Sequence, residues 1–272
     1  MLKKIISGGQ TGADHGALDL AIKLNVSHGG WIPKGRKTES GPLPLKYKLK
    51  ELDTPDYQTR TKHNVLDSHG TVILSRGPLT GGSLLTQSFA KVSGRPNCHI
   101  DLLNNDAFEA AIILQSFVLE NQIEILNVAG PRASHDPEIY SDVRSILEAV
   151  FYLMFLDSKD EEKIRALVPE GTIEEDFPET KDQAISLIES ELPLKTKIFI
   201  AKLEDTRVQC LYFGWLDYLK RRLGFDSGNQ ALFSRLRKER DPLLFTIEDG
   251  VMEIVKSLKQ RFKKNYTLRI VK

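Results

Sequence analysis

A chain of 272 residues, 40% of them hydrophobic, is long enough to bury a sizeable core as one large domain or two smaller ones. Its 38 basic and 37 acidic residues leave a net charge of +1, so charge balance implies neither nucleic acid nor an anionic membrane as partner, and any anion recognition must be local. Cys98 and Cys210 lie far apart, which argues against a disulfide framework or structural zinc and fits a reducing cytoplasm, and no apolar run reaches the roughly 18 to 20 residues of a membrane span.

The chain opens on an apolar strand, Leu2 to Ile6, with no signal-peptide layout before it, and runs into the turn Ser7-Gly8-Gly9-Gln10-Thr11-Gly12-Ala13-Asp14. Gly16 to Leu24 carries apolar residues at helical spacing. Gly29 to Leu52 is too rich in Gly, Pro and Lys to read as regular structure, and a loop of that length inside a compact domain is usually a functional lid or disordered. Tyr57 to Ser68 reads as a short helix leading into the strand at Thr71 to Leu74, which enters a second turn, Ser75-Arg76-Gly77-Pro78-Leu79-Thr80-Gly81-Gly82-Ser83. Gly82 to Ser93 is predicted helical, Pro96 to Asp101 a strand, Asp106 to Glu120 an amphipathic helix, and Ile123 to Val128 a strand ending in Ala129-Gly130-Pro131-Arg132 before a helix from about Asp136 to Leu156. This alternation predicts an α/β fold with a Rossmann-like parallel sheet flanked by helices, and right-handed crossovers would place all three glycine turns at one carboxyl edge of it.

Past Asp157 the pattern changes. Residues 158–179 read as a charged, turn-rich linker, and 180–272 as a small all-α module with helical patterns at Lys181 to Leu192, Lys195 to Leu203, Thr206 to Leu223, Gly228 to Lys238 and Ile247 to Phe262. Residues 1–157 are then the ligand-binding domain. Within the helical module, Leu211 to Leu216 has the periodicity of core, and the basic runs at Lys220 to Arg222 and Lys259 to Lys264 suit solvated helix ends.

Two glycine-rich strand-to-helix turns in one domain point to anion binding, because glycine lets backbone approach an anion and the helix behind each turn offers unpaired N–H groups. The candidate phosphate or ligand contacts are Gly8, Gly9, Gln10, Thr11, Gly12 and Asp14 from the first turn, Thr80, Gly81, Gly82 and Ser83 from the second, and Asn127, Gly130 and Arg132 from the third. Asp14 would cap or orient its loop, and an arginine at a strand end can grip phosphate bidentately. Trp31, Lys34 and Arg36, with Lys37, are candidate lid residues; the plain alternative is an ordinary loop with Trp31 as a packing anchor. Arg60, Asn64 and Asp67 share one face of their helix and either line the pocket or form a polar surface. The six histidines show no metal-ligand spacing, so no protein-held metal is expected. Ser7, Ser75 and Ser83 show no histidine or carboxylate in a nucleophile motif, and Asp14 and Asp67 are the candidate catalytic acids or bases.

The run from Ser7 to Asp19, followed by Gly29-Gly30-Trp31-Ile32-Pro33-Lys34-Gly35-Arg36, Arg60-Thr61, Asn64-Val65, Asp67-Ser68, Leu79 to Ser83 and Leu126 to Arg132, resembles the signature of the putative molybdenum carrier family across residues 2–156. The resemblance implies a circularly permuted branch of the lysine-decarboxylase-like, nucleotide-binding superfamily with a Rossmann-like fold, a homo-oligomer, and a phosphorylated ligand such as molybdenum cofactor (molybdopterin) or a nucleotide. The C-terminal part is similar to a helical domain of unknown function. Three readings follow from this: a binding or carrier protein without chemistry, a nucleoside-monophosphate phosphoribohydrolase, or a nucleotide-derived signal sensor whose helical module contacts a protein partner. The superfamily's hydrolases carry a Pro-Gly-Gly-x-Gly-Thr-x-x-Glu turn, whereas Thr80-Gly81-Gly82-Ser83-Leu84-Leu85-Thr86-Gln87 has no glutamate, which favours binding.

Overall fold

The structure, a computed structural model, describes residues 2–169, 176–238 and 245–266. It divides into two compact units, one ending at Met154 and one beginning at Phe155. The first is built on a five-stranded, wholly parallel sheet of β1 (Lys4–Ile6), β2 (Ser27–Gly29), β7 (Gly70–Ser75), β8 (Asn97–Asp101) and β9 (Ile125–Ala129), in the order β2-β1-β9-β7-β8. Every residue of β7 is buried, as expected of an inner parallel strand covered on both faces. Five helices connect and flank these strands: α1 (Ala13–Lys23), α2 (Tyr57–Leu66), α3 (Gly81–Val92), α4 (Ala107–Glu120) and α5 (Ile139–Leu156). Caps explain several of their starts. Asp56 accepts from Gln58 and Thr59 N–H ahead of α2, and Asp106 forms a capping box with Glu109 on α4.

The topology positions the site. From β1 the chain steps outward to β2, crosses to β7, steps outward to β8, and returns to fill the centre with β9. The carboxyl ends of β1, β9 and β7 therefore lie side by side where the winding changes direction, the place where open α/β sheets bind ligands.

The segment Gly29 to Leu52 departs from the irregular loop read in the sequence. After β2 it makes β3 (Trp31–Ile32), which pairs in parallel with β6 (Lys50–Glu51), and a hairpin of β4 (Lys37–Thr38) with β5 (Gly41–Pro42). Ile32, Leu43, Tyr47 and Leu49 from this segment form a small core with Leu18 of α1. Ladders two residues long leave no periodicity to detect among prolines and glycines, and packing onto α1 supplies the order.

In the second unit, α6 (Glu161–Arg165) lies within the stretch read as linker, of which 170–175 fall outside the described residues. It is followed by α7 (Lys181–Glu191), α8 (Leu194–Lys202), a 3-10 turn at Asp205–Arg207, α9 (Val208–Arg222), α10 (Gln230–Lys238) and α11 (Ile247–Asn265). Helix α9 is the hub: Tyr212 and Trp215 are fully buried, Trp215 Nε1 donates to Ile164 O at 3.1 Å, and α6 and α11 pack against it. No helix among the described residues is long and apolar enough to cross a membrane.

Candidate functional site

The three turns border one cleft of about 610 Å³. The first turn contributes Gln10 and Asp14, the second Ser75, Arg76 and Thr80 to Ser83, the third Ala129 to Arg132, and α2 adds Tyr57, Arg60 and Thr61.

The first turn faces inward more than its glycines suggested. Gly9 has a φ of +74°, and a Cβ there would meet Leu43 and Leu49 at 2.8 Å; a Cβ on Gly12 would meet Pro131 O at 2.5 Å. Much of its polar capacity is spent inside the protein: Thr11 N donates to Gln10 Oε1 (3.1 Å), Ala13 N to Pro131 O (3.2 Å) and Gln10 N to Asp14 Oδ2 (3.0 Å). Of this turn Gln10 and Asp14 line the cleft, whereas Gly8, Gly9, Thr11 and Gly12 do not. At Gly9 and Gly12 the space a side chain would need is filled by the protein's own atoms, a demand identical in sequence to close ligand approach.

The second turn is open. A Cβ on Gly81 or Gly82 would meet nothing within 4 Å, and Thr80, Gly81 and Gly82 are exposed at the start of α3. At its base, Asp101 accepts from Gly77 N (2.7 Å) and Leu103 N (3.0 Å), and hydrogen bonds from Leu103 and Gly77 hold its carboxyl below the usual range. Ser75 Oγ lies 2.9 Å from His99 Nε2, a Ser–His pair invisible in the sequence because it depends on the pairing of β7 with β8. Asp101 spends its carboxylate on Gly77, Leu103 and Asn104 Nδ2 instead of orienting that imidazole, so the three do not form a triad.

Two guanidinium groups converge on the ring of Tyr57, Arg132 at 5.5 Å from its centroid and Arg60 at 5.8 Å. Arg60 lies across Gly8, where a Cβ would come within 1.8 Å of Nη1. Its Nη1 is 3.7 Å from Asp14 Oδ2, beyond hydrogen-bond reach, and its buried Nε has no hydrogen-bond partner among the described residues. Arg76 is already engaged, by Asp136 (2.5 Å), Asp142 (2.5 Å) and Glu138 (3.0 Å). Neither Tyr57 nor Arg76 was marked in the sequence reading; Tyr57, three residues before Arg60 at the start of α2, carried the usable signal.

Several expected site residues lie elsewhere. Asn127 is buried in the sheet and donates to Thr71 Oγ1 at 3.2 Å. Asn64 and Asp67 hold Trp31 instead of lining the cleft: Trp31 N donates to Asn64 Oδ1 at 2.8 Å and Trp31 Nε1 to Asp67 Oδ2 at 2.7 Å, so the indole is an anchor for its own segment. Lys34 is exposed and outside the cleft lining. Arg36 is the hub of its loop, donating to the carbonyls of Leu43 (2.9 Å), Tyr47 (2.9 Å), Pro44 (3.2 Å) and Leu49 (3.3 Å). Replacing Arg36 with methionine should therefore cost about 2 kcal/mol and lower the melting temperature by about 4–8 °C, with phosphate affinity unchanged, checked by calorimetry beside a binding titration. Among the described residues, no group of three or more His, Cys, Asp or Glu side chains is placed to hold a metal ion.

A parallel sheet with helices around it and glycine turns at its carboxyl edge defines the Rossmann-like α/β class. Residues 5–151 match the model of the circularly permutated YpsA SLOG family, and the chain belongs to that family. It is also similar to the crystal structure of a putative molybdenum carrier protein from Syntrophus aciditrophicus SB, with 51% identity over 55% of this chain and 94% of that one and a TM-score of 0.54. No curated protein matches the chain.

Proposed function

We propose that the protein is a binding or carrier module that holds a phosphorylated heterocycle, of molybdopterin or nucleotide type, in the cleft between the second turn, α2 and Arg132. The observation that carries this reading is Arg60, a half-buried guanidinium in the cleft whose buried Nε has no hydrogen-bond partner among the described residues and whose Nη1 stands 3.7 Å from the Asp14 carboxylate. Buried donors without acceptors are costly, and a phosphate oxygen would relieve that cost. The exposed start of α3 at Gly81 and Gly82 would receive the same phosphate on its backbone N–H groups, and Arg132 would close over it. The likeness to a putative molybdenum carrier protein supports the carrier assignment. Native mass spectrometry of protein purified from its own host should reveal a co-purifying phosphorylated small molecule; protein that carries none, and that fails to bind nucleoside monophosphate or molybdopterin in titration, would refute the reading.

Asp14 favours a second reading, cleavage of an N-glycosidic bond in a bound nucleoside monophosphate, because its carboxylate lines the cleft next to Arg60. A carboxylate near an oxocarbenium-like centre supplies what the second turn lacks. In that case incubation with nucleoside monophosphates should release free base, and Asp14→Asn should reduce release at least about 100-fold, as loss of a general base or charge stabiliser does. Absence of free base over long incubation leaves binding alone.

A further inference from the structure

Beside the cleft, the first and third turns already hold an anion that belongs to the protein. Glu39, in the bend of the β4–β5 hairpin, places its carboxylate between them: the Thr11 hydroxyl donates to Oε1, Ser134 N donates to Oε1 at 3.2 Å, and Ser134 Oγ donates to Oε2 at 2.6 Å. Glu39 N in turn donates to Gln10 Oε1 at 2.9 Å. These donors, two hydroxyls and a backbone amide from separate glycine turns, are the set that binds a phosphate oxyanion. Thr11, Glu39 and Ser134 lie just outside the cleft lining, which their neighbours share: Gln10, whose Oε1 accepts from Glu39 N, lines the cleft, as do Arg132 and His135 on either side of Ser134.

We propose that Glu39 is an internal stand-in for a second anionic group of the ligand, and that the hairpin tip lifts to admit a diphosphate-bearing ligand whose second phosphate takes the Thr11 and Ser134 donors. The proposal rests on the reading of the cleft as a phosphate site. The hairpin suits this role. Its ladder is two residues long, Lys37, Glu39, Ser40 and Pro42 are exposed, and a Cβ on Gly41 would meet nothing within 4 Å. The segment on either side is fixed, by the Arg36 hub before it and by buried Leu43, Tyr47 and Leu49 after it, so residues 37–42 can move without disturbing that core.

A self-occupied site weakens apparent affinity by the fraction of molecules that are open, so a closed-to-open ratio of about 10 lowers it about tenfold. The test is calorimetric titration of the whole chain with inorganic pyrophosphate and with inorganic phosphate. Glu39→Ala should bind pyrophosphate about tenfold more tightly than the native chain, while phosphate affinity changes less than about threefold. Thr11→Val with Ser134→Ala, added to Glu39→Ala, should abolish the gain. Glu39→Gln, which keeps the shape of the side chain and removes its charge, should show part of the gain and guards against a folding defect in the alanine variant. Unchanged or weakened pyrophosphate binding in both Glu39 variants, with phosphate still bound, overturns the displacement and leaves the phosphate cleft standing. A native chain that binds neither phosphate nor pyrophosphate refutes the cleft reading, and the stand-in falls with it.

Discussion

Replacing Arg60 with methionine should weaken binding of a nucleoside monophosphate by about 10- to 150-fold, the loss of about 1.5–3 kcal/mol expected for a charge-assisted hydrogen bond. The side chain is 15% exposed, so solvent screens its charge little, and methionine keeps much of its apolar stem. Arg132 is exposed, and Arg132→Met should cost less, with stronger dependence on salt. A companion variant separates charge from position. A methyl group on Gly8 would fall 1.8 Å from Arg60 Nη1 and 2.3 Å from Cζ, so Gly8→Ala must push the guanidinium off its seat, its three nearest atoms all belonging to the end of that flexible side chain. It should lower ligand affinity by about fivefold or more with a small change in melting temperature, since 1 Å of displacement is costly for a site and cheap for a surface-directed rotamer. Titration calorimetry with thermal melts reads both quantities. Full affinity in Arg60→Met removes the cleft from the proposal.

The sheet was legible wherever burial on both faces leaves an apolar run. The strands β1, β7 and β9 and the helices between them follow from such runs and from helical spacing, and their boundaries shift by only a few residues, as do those of the edge strand β8, in which only Ile100 is buried. Strand β2 was not legible, because Ser27-His28-Gly29 carries no apolar pattern and owes its conformation to pairing with β1. The turns were visible through their glycines, but glycine records only that a side chain cannot fit. At Gly9 the excluding atoms are those of Leu43 and Leu49, whereas at Gly82 the space is open. Arginine is equally mute: Arg36, Arg60 and Arg76 look alike in sequence, and only the fold shows one bound to carbonyls, one short of partners and one neutralised by Asp136, Glu138 and Asp142.

That ambiguity can be resolved glycine by glycine, and Gly30 should show the largest loss of stability. It has a φ of +120°, and a Cβ there would stand 2.1 Å from Ser7 O and 2.9 Å from both Ser7 N and Asn64 Oδ1. The neighbouring backbone has little freedom to yield: Ser7 N donates to Gly29 O, Lys50 N to Gly30 O, and Trp31 N to Asn64 Oδ1. Gly30→Ala thus combines backbone strain with a clash against Ser7, just past the end of strand β1, and should cost about 3 kcal/mol or more, a fall of about 6–12 °C in melting temperature. Gly41 separates the two contributions, because its φ is +101° and its surroundings are open; Gly41→Ala should cost about 1 kcal/mol from strain alone. Gly82→Ala completes the series with neither positive φ nor a nearby atom, so its stability should be unchanged while ligand affinity falls, the methyl group occupying space left for phosphate. A Gly82→Ala protein with native affinity would mean that the start of α3 does not touch the ligand, and a Gly30→Ala protein that melts with the native chain would mean that β1 and β2 part far more easily than their hydrogen bonds imply.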